Sequence, residues 1–175
     1  MNALDAGERL NRTNHDRGAE ADVALACRSE ATILFTGMPE LAESMARDIH
    51  HSSGWRHGPF VTVDCSMDER ELDARLAWLL CDPAPFADPR LPGALPSQHG
   101  VVFLRGVDRL SLAGQIKLAE WLGHVRASGK VGPRRRVMAS SRESLLSRVV
   151  AGTFDDRLYY RLSVIHIPLE RVGEN

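Results

Sequence analysis

Residues 100–108 read Gly-Val-Val-Phe-Leu-Arg-Gly-Val-Asp, and this stretch decides the fold. Four consecutive apolar residues, 101–104, lie between a glycine and an abrupt change to charge, which is typical of a strand buried on both faces of a parallel sheet. In an open α/β sheet, the residues that follow the carboxyl ends of the strands line the ligand crevice. We therefore expect Arg105 and Gly106 to lie at that crevice.

Further apolar runs on either side of this strand alternate with helical patterns. The predicted strands are residues 31–36, 60–63, 101–104, 136–140 and 164–167. The predicted helices are residues 21–28, 40–51, a helix that opens at Ser66, 111–126, 143–151 and 154–162. This alternation predicts an α/β fold, a five-stranded parallel sheet with helices on both faces.

Two of the helices carry more specific signals. Leu41, Met45 and Ile49 fall at positions i, i+4 and i+8, which predicts that they form the buried face of their helix. Ser66 followed three residues later by Glu69 matches a capping box, which predicts a helix start at that point.

The composition is that of an ordinary soluble globular chain. Of the 175 residues, 43% are hydrophobic and 26% are charged, and the formal net charge is −1. No apolar run approaches the ~18 residues of a membrane span, and residues 1–30 do not resemble a secretory signal. The three cysteines form no CxxC motif, so neither a disulfide framework nor a zinc site is indicated. We expect a cytoplasmic protein with a mobile arm over residues 1–20 and one domain over 21–175.

The charge is distributed unevenly along the chain. Residues 1–100 hold 9 basic and 16 acidic side chains, whereas residues 101–175 hold 13 basic and 7 acidic ones. Such asymmetry is compatible with an anion or nucleic-acid surface, or with two solvated faces that attract each other within or between subunits. No basic run is interleaved with aromatic residues, which favours the second interpretation. We also interpret the run of arginines at 134–136 as a solvated strand entry and not as a nucleic-acid site, because three charges give only weak, salt-sensitive binding.

From about residue 31 to 169, the chain resembles the AAA+ domain of sigma-54-dependent transcription activators, the bacterial enhancer-binding proteins. Residues 49–60 resemble the family's LHxxSxRxxxPF segment, and residues 100–104 with Gln115 resemble GGTLFLDE…QxxLL. Residues 136–167 resemble the family's VRxIAAT…GxFRxDLYYRLxV segment. The resemblance implies a three-layer AAA+ sandwich of the P-loop type with the strand order 5-1-4-3-2. It also implies ATP and magnesium as ligands of the family.

The family's phosphate loop is altered in this chain. A phosphate loop requires glycines whose backbone N–H groups wrap the phosphates, and a lysine for their charge. The corresponding turn keeps one glycine and has alanine at the lysine position. It also contains an acidic side chain and a proline, which has no backbone N–H group. Its residues are Gly37, Met38, Pro39, Glu40, Leu41, Ala42 and Glu43.

The acidic pair that follows the third strand in the family is replaced by Arg105 and Gly106. An arginine cannot ligate magnesium or act as a base, because it stays protonated. We predict instead that Arg105 neutralises nearby acids such as Glu40, Glu43 or Asp64 and fills the nucleotide space. A shifted magnesium site at Asp108 is the alternative.

The family also uses two arginines to reach the neighbouring subunit. At the first of these positions the chain has Asp155, and at the second it keeps Arg161. The resemblance implies an inter-subunit role for Arg161, and the alternative is a structural ion pair with Asp155 or Asp156. The family's GAFTGA loop is replaced by a proline-rich segment, and we expect neither the helical lid nor the helix-turn-helix within residues 21–175.

These departures predict a module that has lost ATP hydrolysis, and ATP binding with it, so that no cofactor is expected. The resemblance then implies a protein-interaction or regulatory module in bacterial transcription control, whose partner is an active AAA+ relative or a second copy of this chain. One alternative is an ATP-binding but catalytically weak activator or sensor. A second is a DNA-binding regulator that uses the basic C-terminal half. Neither a membrane partner nor direct nucleic-acid binding is favoured.

Overall fold

The computed structural model of the chain describes residues 18, 20–80, 99–127 and 134–169. Its centre is a five-stranded sheet in which every neighbouring pair is parallel. The strands are β1 (Ile33–Gly37), β2 (Phe60–Asp64), β3 (His99–Arg105), β4 (Arg134–Ser141) and β5 (Ile165–Leu169). Their spatial order is β2-β3-β4-β1-β5, which confirms the predicted order 5-1-4-3-2 read from the other edge.

Helices cover both faces of this sheet. They are α1 (residues 20–28), α2 (Pro39–His51), α3 (Glu69–Leu80), α4 (Leu112–Ala127), α5 (Leu145–Val150) and α6 (Asp156–Leu162), with a short 3₁₀ helix at Val107–Arg109. Helices α1 and α2 contribute buried residues to one core, and α3 to α6 contribute to a second core across the sheet. The fold therefore has the predicted three layers.

Strand β3 lies between these two cores. Residues 101–104 are at most 1% exposed. Val102 and Leu104 belong to the core under α3 to α6, while Val101 and Phe103 belong to the core under α1 and α2. The aromatic ring of Phe103 stacks on Phe60, with 5.9 Å between the ring centroids. A continuous apolar run is needed here because both faces of a central parallel strand are covered.

The buried face of α2 differs from the prediction. Leu41 is 46% exposed and Met45 is only partly buried, whereas Ala42, Ala46 and Ile49 are buried. These three fall at positions i, i+4 and i+7, which is also an amphipathic spacing. Two alanines on this face let the helix approach the sheet closely, so residue size and not hydrophobicity alone selects the face.

The predicted capping box at the start of α3 is wrong. The helix begins at Glu69, and the carboxylate Oδ1 of Asp68 accepts hydrogen bonds from the backbone N–H groups of Arg70 at 3.0 Å and Glu71 at 3.4 Å. Ser66 instead donates its hydroxyl to Oδ1 of Asp64 at 2.6 Å. Asp68 is therefore the N-cap, a role for which aspartate is strongly preferred.

Two predictions lie largely or wholly outside the described residues. These are the mobile arm over residues 1–20, of which only residues 18 and 20 are described, and the proline-rich segment after residue 81. In the part of the chain that the structure does describe, no helix combines the length and the apolar character needed to cross a membrane.

Candidate functional site

The carboxyl ends of the five parallel strands meet at one edge of the sheet. The strand register places Asp64 of β2 beside Arg105 of β3, and Arg105 beside Ser140 of β4. A cavity of about 220 Å³ opens at this edge. Its lining residues are Pro39, Asp64, Arg105, Gly106, Asp108, Arg109, Ser140 and Arg142. Three of the predicted site residues, Pro39, Arg105 and Gly106, therefore lie together at the cavity.

The guanidinium of Arg105 is held by two carboxylates. Its Nε and Nη2 atoms donate to Oδ2 of Asp64 at 3.2 and 2.8 Å, and its Nη1 atom lies 3.6 Å from Oε2 of Glu43. The Arg105 side chain remains 47% exposed. The predicted neutralisation of Glu43 and Asp64 by Arg105 is thus present. The prediction that Arg105 also fills the nucleotide space is wrong, because a cavity of about 220 Å³ remains beside the ion pair.

Both carboxyl groups are held in their ionised form. Burial would by itself raise the pKa of Glu43, but hydrogen bonds from Arg47 and Thr62 and the charges of Arg47 and Arg105 lower it overall. Burial would also raise the pKa of Asp64. Hydrogen bonds from Ser66, together with the hydrogen bond and the charge of Arg105, outweigh burial and lower the pKa overall. Glu43 and Asp64 therefore stabilise the fold in their charged state.

Arg105→Ala should reduce stability by about 1 kcal/mol at pH 7, the scale of a partly exposed ion pair. Lowered carboxyl pKa values stabilise the folded state above the pKa of the unfolded chain, and this contribution is lost as the pH falls through the folded-state pKa. The difference between wild type and Arg105→Ala should therefore shrink as the pH falls below the ordinary carboxyl pKa values of about 4. Urea unfolding at several pH values measures it, and a difference that grows toward acid pH would contradict the assignment.

The turn from β1 into α2 is packed tightly against β5. Gly37 has φ of +106°, and a Cβ atom added there would lie 2.2 Å from the carbonyl oxygen of Leu169. The backbone N–H of Met38 donates to the same carbonyl at 3.2 Å. Pro39, the first helical residue, has no N–H. The first backbone donors of the turn are thus bonded to β5 or absent.

The remaining residues of this turn do not face the cavity as a phosphate loop would require. Ala42, at the family's lysine position, is 2% exposed and packs in the core. Glu40 and Leu41 are exposed and are not among the residues that line the cavity. Oε1 of Glu43 accepts hydrogen bonds from Arg47 at 2.7 Å and from the Thr62 hydroxyl at 2.9 Å.

The segment after β3 forms the opposite wall of the cavity. Gly106 has φ of +73°, and its N–H donates to the hydroxyl of Ser140 at 3.2 Å. Oδ1 of Asp108 accepts from the backbone N–H of Arg142 at 3.3 Å, and the Asp108 carbonyl accepts from the guanidinium of Arg148. The carboxylate of Asp108 is therefore hydrogen-bonded to the loop after β4.

Three cavity residues, Arg109, Ser140 and Arg142, were not singled out from the sequence. Ser140 ends a predicted strand, so the rule that strand ends line the crevice could have found it. Arg109 and Arg142 are exposed arginines in short connections, and a single sequence does not distinguish such arginines from other surface charges.

Arg161 does not form the predicted ion pair with Asp155 or Asp156. Within the described residues, Asp155 pairs with Arg157 at 3.2 Å, and the guanidinium of Arg161 lies over Gly123 of α4, where an added Cβ would come within 3.1 Å of both Nη atoms. A glycine at position 123 gives the guanidinium room to pack against the helix. The inter-subunit role of Arg161 stays a prediction.

Asp155, at the family's first arginine position, caps helix α6. Its Oδ1 atom accepts the N–H of Leu158 at 2.8 Å, and its own N–H donates to the side-chain carbonyl of the buried Gln115 at 2.8 Å. Asp155→Ala should therefore cost about 1 kcal/mol of stability, measured by urea unfolding. Asp155→Asn keeps the acceptor and should lose much less, and equal losses in both variants would argue against the cap.

The interpretation of the arginine run at 134–136 as solvated is wrong for Arg136, which is 1% exposed. Its Nη2 and Nε atoms donate to the carbonyls of Ala26 at 2.7 Å and Ala31 at 3.1 Å. Burial lowers the pKa of Arg136 to about 10, so it remains protonated at neutral pH. Arg136 thus joins β4 to the end of α1 and is not available to a surface ligand.

Comparison with known proteins agrees with this architecture. Residues 13–168 match the family described as the Sigma-54 interaction domain. The chain is 33% identical over 159 residues to the sigma54-dependent transcriptional activator SfnR of Pseudomonas putida, covering 81% of this chain and 41% of SfnR. It is 31% identical over 156 residues to the transcriptional regulatory protein ZraR of Escherichia coli K12, covering 84% and 35%. The chain thus spans less than half of either relative.

Solved structures show the same fold. NtrX from Brucella abortus, in complex with ATP, superposes with a TM-score of 0.64 at 25% identity, covering 89% of this chain and 35% of NtrX. The P-loop NTPase domain of a sigma-54 activator from E. coli superposes with a TM-score of 0.59 at 13% identity, covering 89% and 96%, which bears on the fold alone. The chain therefore belongs to the Sigma-54 interaction domain family and has its P-loop AAA+ fold.

Proposed function

We propose that this chain is a sigma-54 interaction domain that does not hydrolyse ATP and serves as a protein-interaction module in bacterial transcription control. The observation that carries the proposal is the ion pair of Arg105 with Asp64 and Glu43. It places a cation at the position where a magnesium-dependent enzyme needs a carboxylate ligand. A guanidinium there repels the metal and supplies no base.

The turn at Gly37 supports the same proposal. Magnesium nucleotide is a poor fit here, because the Met38 N–H is bonded to Leu169 and Pro39 has none to offer. A phosphate loop acts through several converging N–H groups and a lysine. The residue at the lysine position, Ala42, is buried in the core and cannot reach a phosphate.

Titration of the intact chain with fluorescently labelled ATP, with and without magnesium, tests this proposal. We expect no saturable magnesium-dependent binding at micromolar nucleotide, with NtrX as a positive control because its solved structure holds ATP. Micromolar, magnesium-dependent binding to this chain would instead favour the alternative of an ATP-binding but weakly catalytic activator or sensor. The same titration of the Arg105→Asp variant shows whether the positive charge of Arg105 is by itself sufficient to prevent magnesium-dependent binding.

Exposed apolar side chains support the protein-interaction part of the proposal. Leu146 and Val150 lie at i and i+4 on α5 and are 49% and 84% exposed, and Tyr160 on the adjoining α6 is 68% exposed. Tyrosine is among the residue types that are enriched at protein interfaces. The partner we propose is an active AAA+ relative or a second copy of this chain.

A pull-down from cells that produce this protein tests the partner. The intact wild-type chain is used as bait and is compared with the interface variant Val150→Glu. Recovery of an AAA+ relative that is lost in the variant supports the proposal. Sedimentation of the pure chain tests self-association. Binding to duplex DNA that weakens steeply with salt would favour the DNA-binding alternative, although burial of Arg136 removes one cation from that surface.

A further inference from the structure

We propose that the cavity at the carboxyl edge of the sheet binds one phosphate-sized oxyanion without a metal ion, through Arg109, Arg142 and Ser140. The inference rests on the proposed function, because it assigns a new ligand class to the cavity from which magnesium nucleotide is excluded. The ligand chemistry is a single phosphate group, either free phosphate or the end of a small phosphomonoester.

The charges around the cavity favour an anion. Three arginines and two aspartates line it. The charge of Arg105 is balanced by Asp64 at 2.8 Å, and the charge of Glu43 is balanced by Arg47 at 2.7 Å. Arg109 and Arg142 are exposed, and within the described residues neither guanidinium forms an ion pair with a carboxylate. Asp108 contributes one negative charge to the cavity lining, whereas Arg109 and Arg142 contribute two positive charges. The lining therefore has an excess of positive charge.

A buried hydroxyl provides a further donor at the cavity. Ser140 is 2% exposed, and its Oγ atom accepts the N–H of Gly106 at 3.2 Å. Among the described residues its own O–H proton has no acceptor, although a hydroxyl can donate and accept at once. Buried donors are nearly always satisfied, by protein or by a bound group. An oxyanion in the cavity would accept this proton.

The volume selects a small ligand. A cavity of about 220 Å³ lies below the ~300–1,000 Å³ of sites that enclose drug-sized molecules. It exceeds by several fold the ~30 Å³ that one water occupies in the liquid. The planar fork of an arginine matches the oxygens of phosphate and forms short charge-assisted hydrogen bonds with them. A tetrahedral oxyanion between Arg109 and Arg142 therefore fits, whereas a whole nucleotide does not.

Isothermal titration of the intact chain with inorganic phosphate, in a low-chloride buffer containing EDTA, tests the inference. We expect saturable binding of one phosphate per chain that weakens as ionic strength rises. Arg109→Gln and Arg142→Gln should each weaken it about tenfold, and Ser140→Ala about threefold. Arg56→Gln is the matched control, because Arg56 is an exposed arginine in the turn before β2, at the opposite edge of the sheet.

Asp108→Asn offers a test in the opposite direction. The amide keeps the oxygen that accepts the Arg142 N–H but removes one negative charge, so phosphate should bind about threefold more tightly. Methyl phosphate in a parallel titration identifies the source: binding as tight as that of phosphate, and equally sensitive to Arg109→Gln, supports the site and points to a phosphomonoester.

Three outcomes would overturn the inference, and they differ in what else they affect. No phosphate binding up to about 10 mM, or binding that Arg109→Gln and Arg142→Gln leave unchanged, removes the oxyanion site and leaves the absence of ATP hydrolysis untouched. Binding of ATP that requires magnesium and exceeds phosphate affinity more than a hundredfold removes both the oxyanion site and the proposed function.

Discussion

Gly37→Ala should lower the free energy of unfolding by at least about 3 kcal/mol. Two penalties combine at this position. The backbone φ of +106° is strained for any residue with a Cβ atom, and that atom would lie 2.2 Å from the carbonyl oxygen of Leu169, where only backbone movement can relieve the contact. The same carbonyl accepts the N–H of Met38, so the displacement also weakens a hydrogen bond.

Gly152→Ala is the matched control. Gly152 has φ of +70°, but nothing lies within 4 Å of an added Cβ, so the cost is limited to about 1 kcal/mol of backbone strain. Urea unfolding of both variants measures the difference. Equal losses would mean that Gly37 is not packed against β5.

Arg136→Ala should destabilise the chain by about 3 kcal/mol, as large-to-small changes in a core do. The substitution leaves a cavity beside β4 and removes both donors from the buried carbonyls of Ala26 and Ala31. Helix α1 should therefore become more accessible, which hydrogen exchange of residues 20–28 would report directly.

Arg136→Met separates volume from hydrogen bonding. Nη1 of Arg136 is buried without a partner among the described residues, so its desolvation is not fully offset. Methionine fills most of the space without this penalty but leaves the two carbonyls unpaired, and we expect a loss of about 1 kcal/mol. If Arg136→Ala were as stable as wild type, the guanidinium would not hold α1.

Most of the fold could be predicted, because its signals are local in sequence. The apolar run at 101–104 identifies a central parallel strand, and the alternation of strands and helices around it predicts three layers. One failure occurs where contacts distant in sequence decide, and the other occurs where neighbouring polar side chains compete for the same backbone and hydroxyl groups. Which face of α2 is buried depends on the distance between the helix and the sheet. The small side chains of two alanines are buried there, whereas Leu41 is exposed. The start of α3 depends on where Asp64 engages Ser66, which leaves Asp68 as the cap.

The candidate site was predictable in part for a similar reason. Neighbouring strand ends lie side by side in a parallel sheet, so Arg105 beside Asp64 follows from the strand order. Glu43 joins them because α2 begins directly after β1. The positions of Arg109 and Arg142 depend on the short connections after β3 and β4. The orientation of a charged side chain in such a connection has no periodic signal in the sequence.

The central claim is that a cation replaces the metal-binding acid in this member of the family. Phosphate release by the pure intact chain with magnesium and ATP tests it most directly, with Pro39→Ala as a companion variant. The account predicts release no faster than the buffer blank for both proteins. Release by the wild-type chain that clearly exceeds the blank, and that changes when Pro39 is substituted, would contradict it.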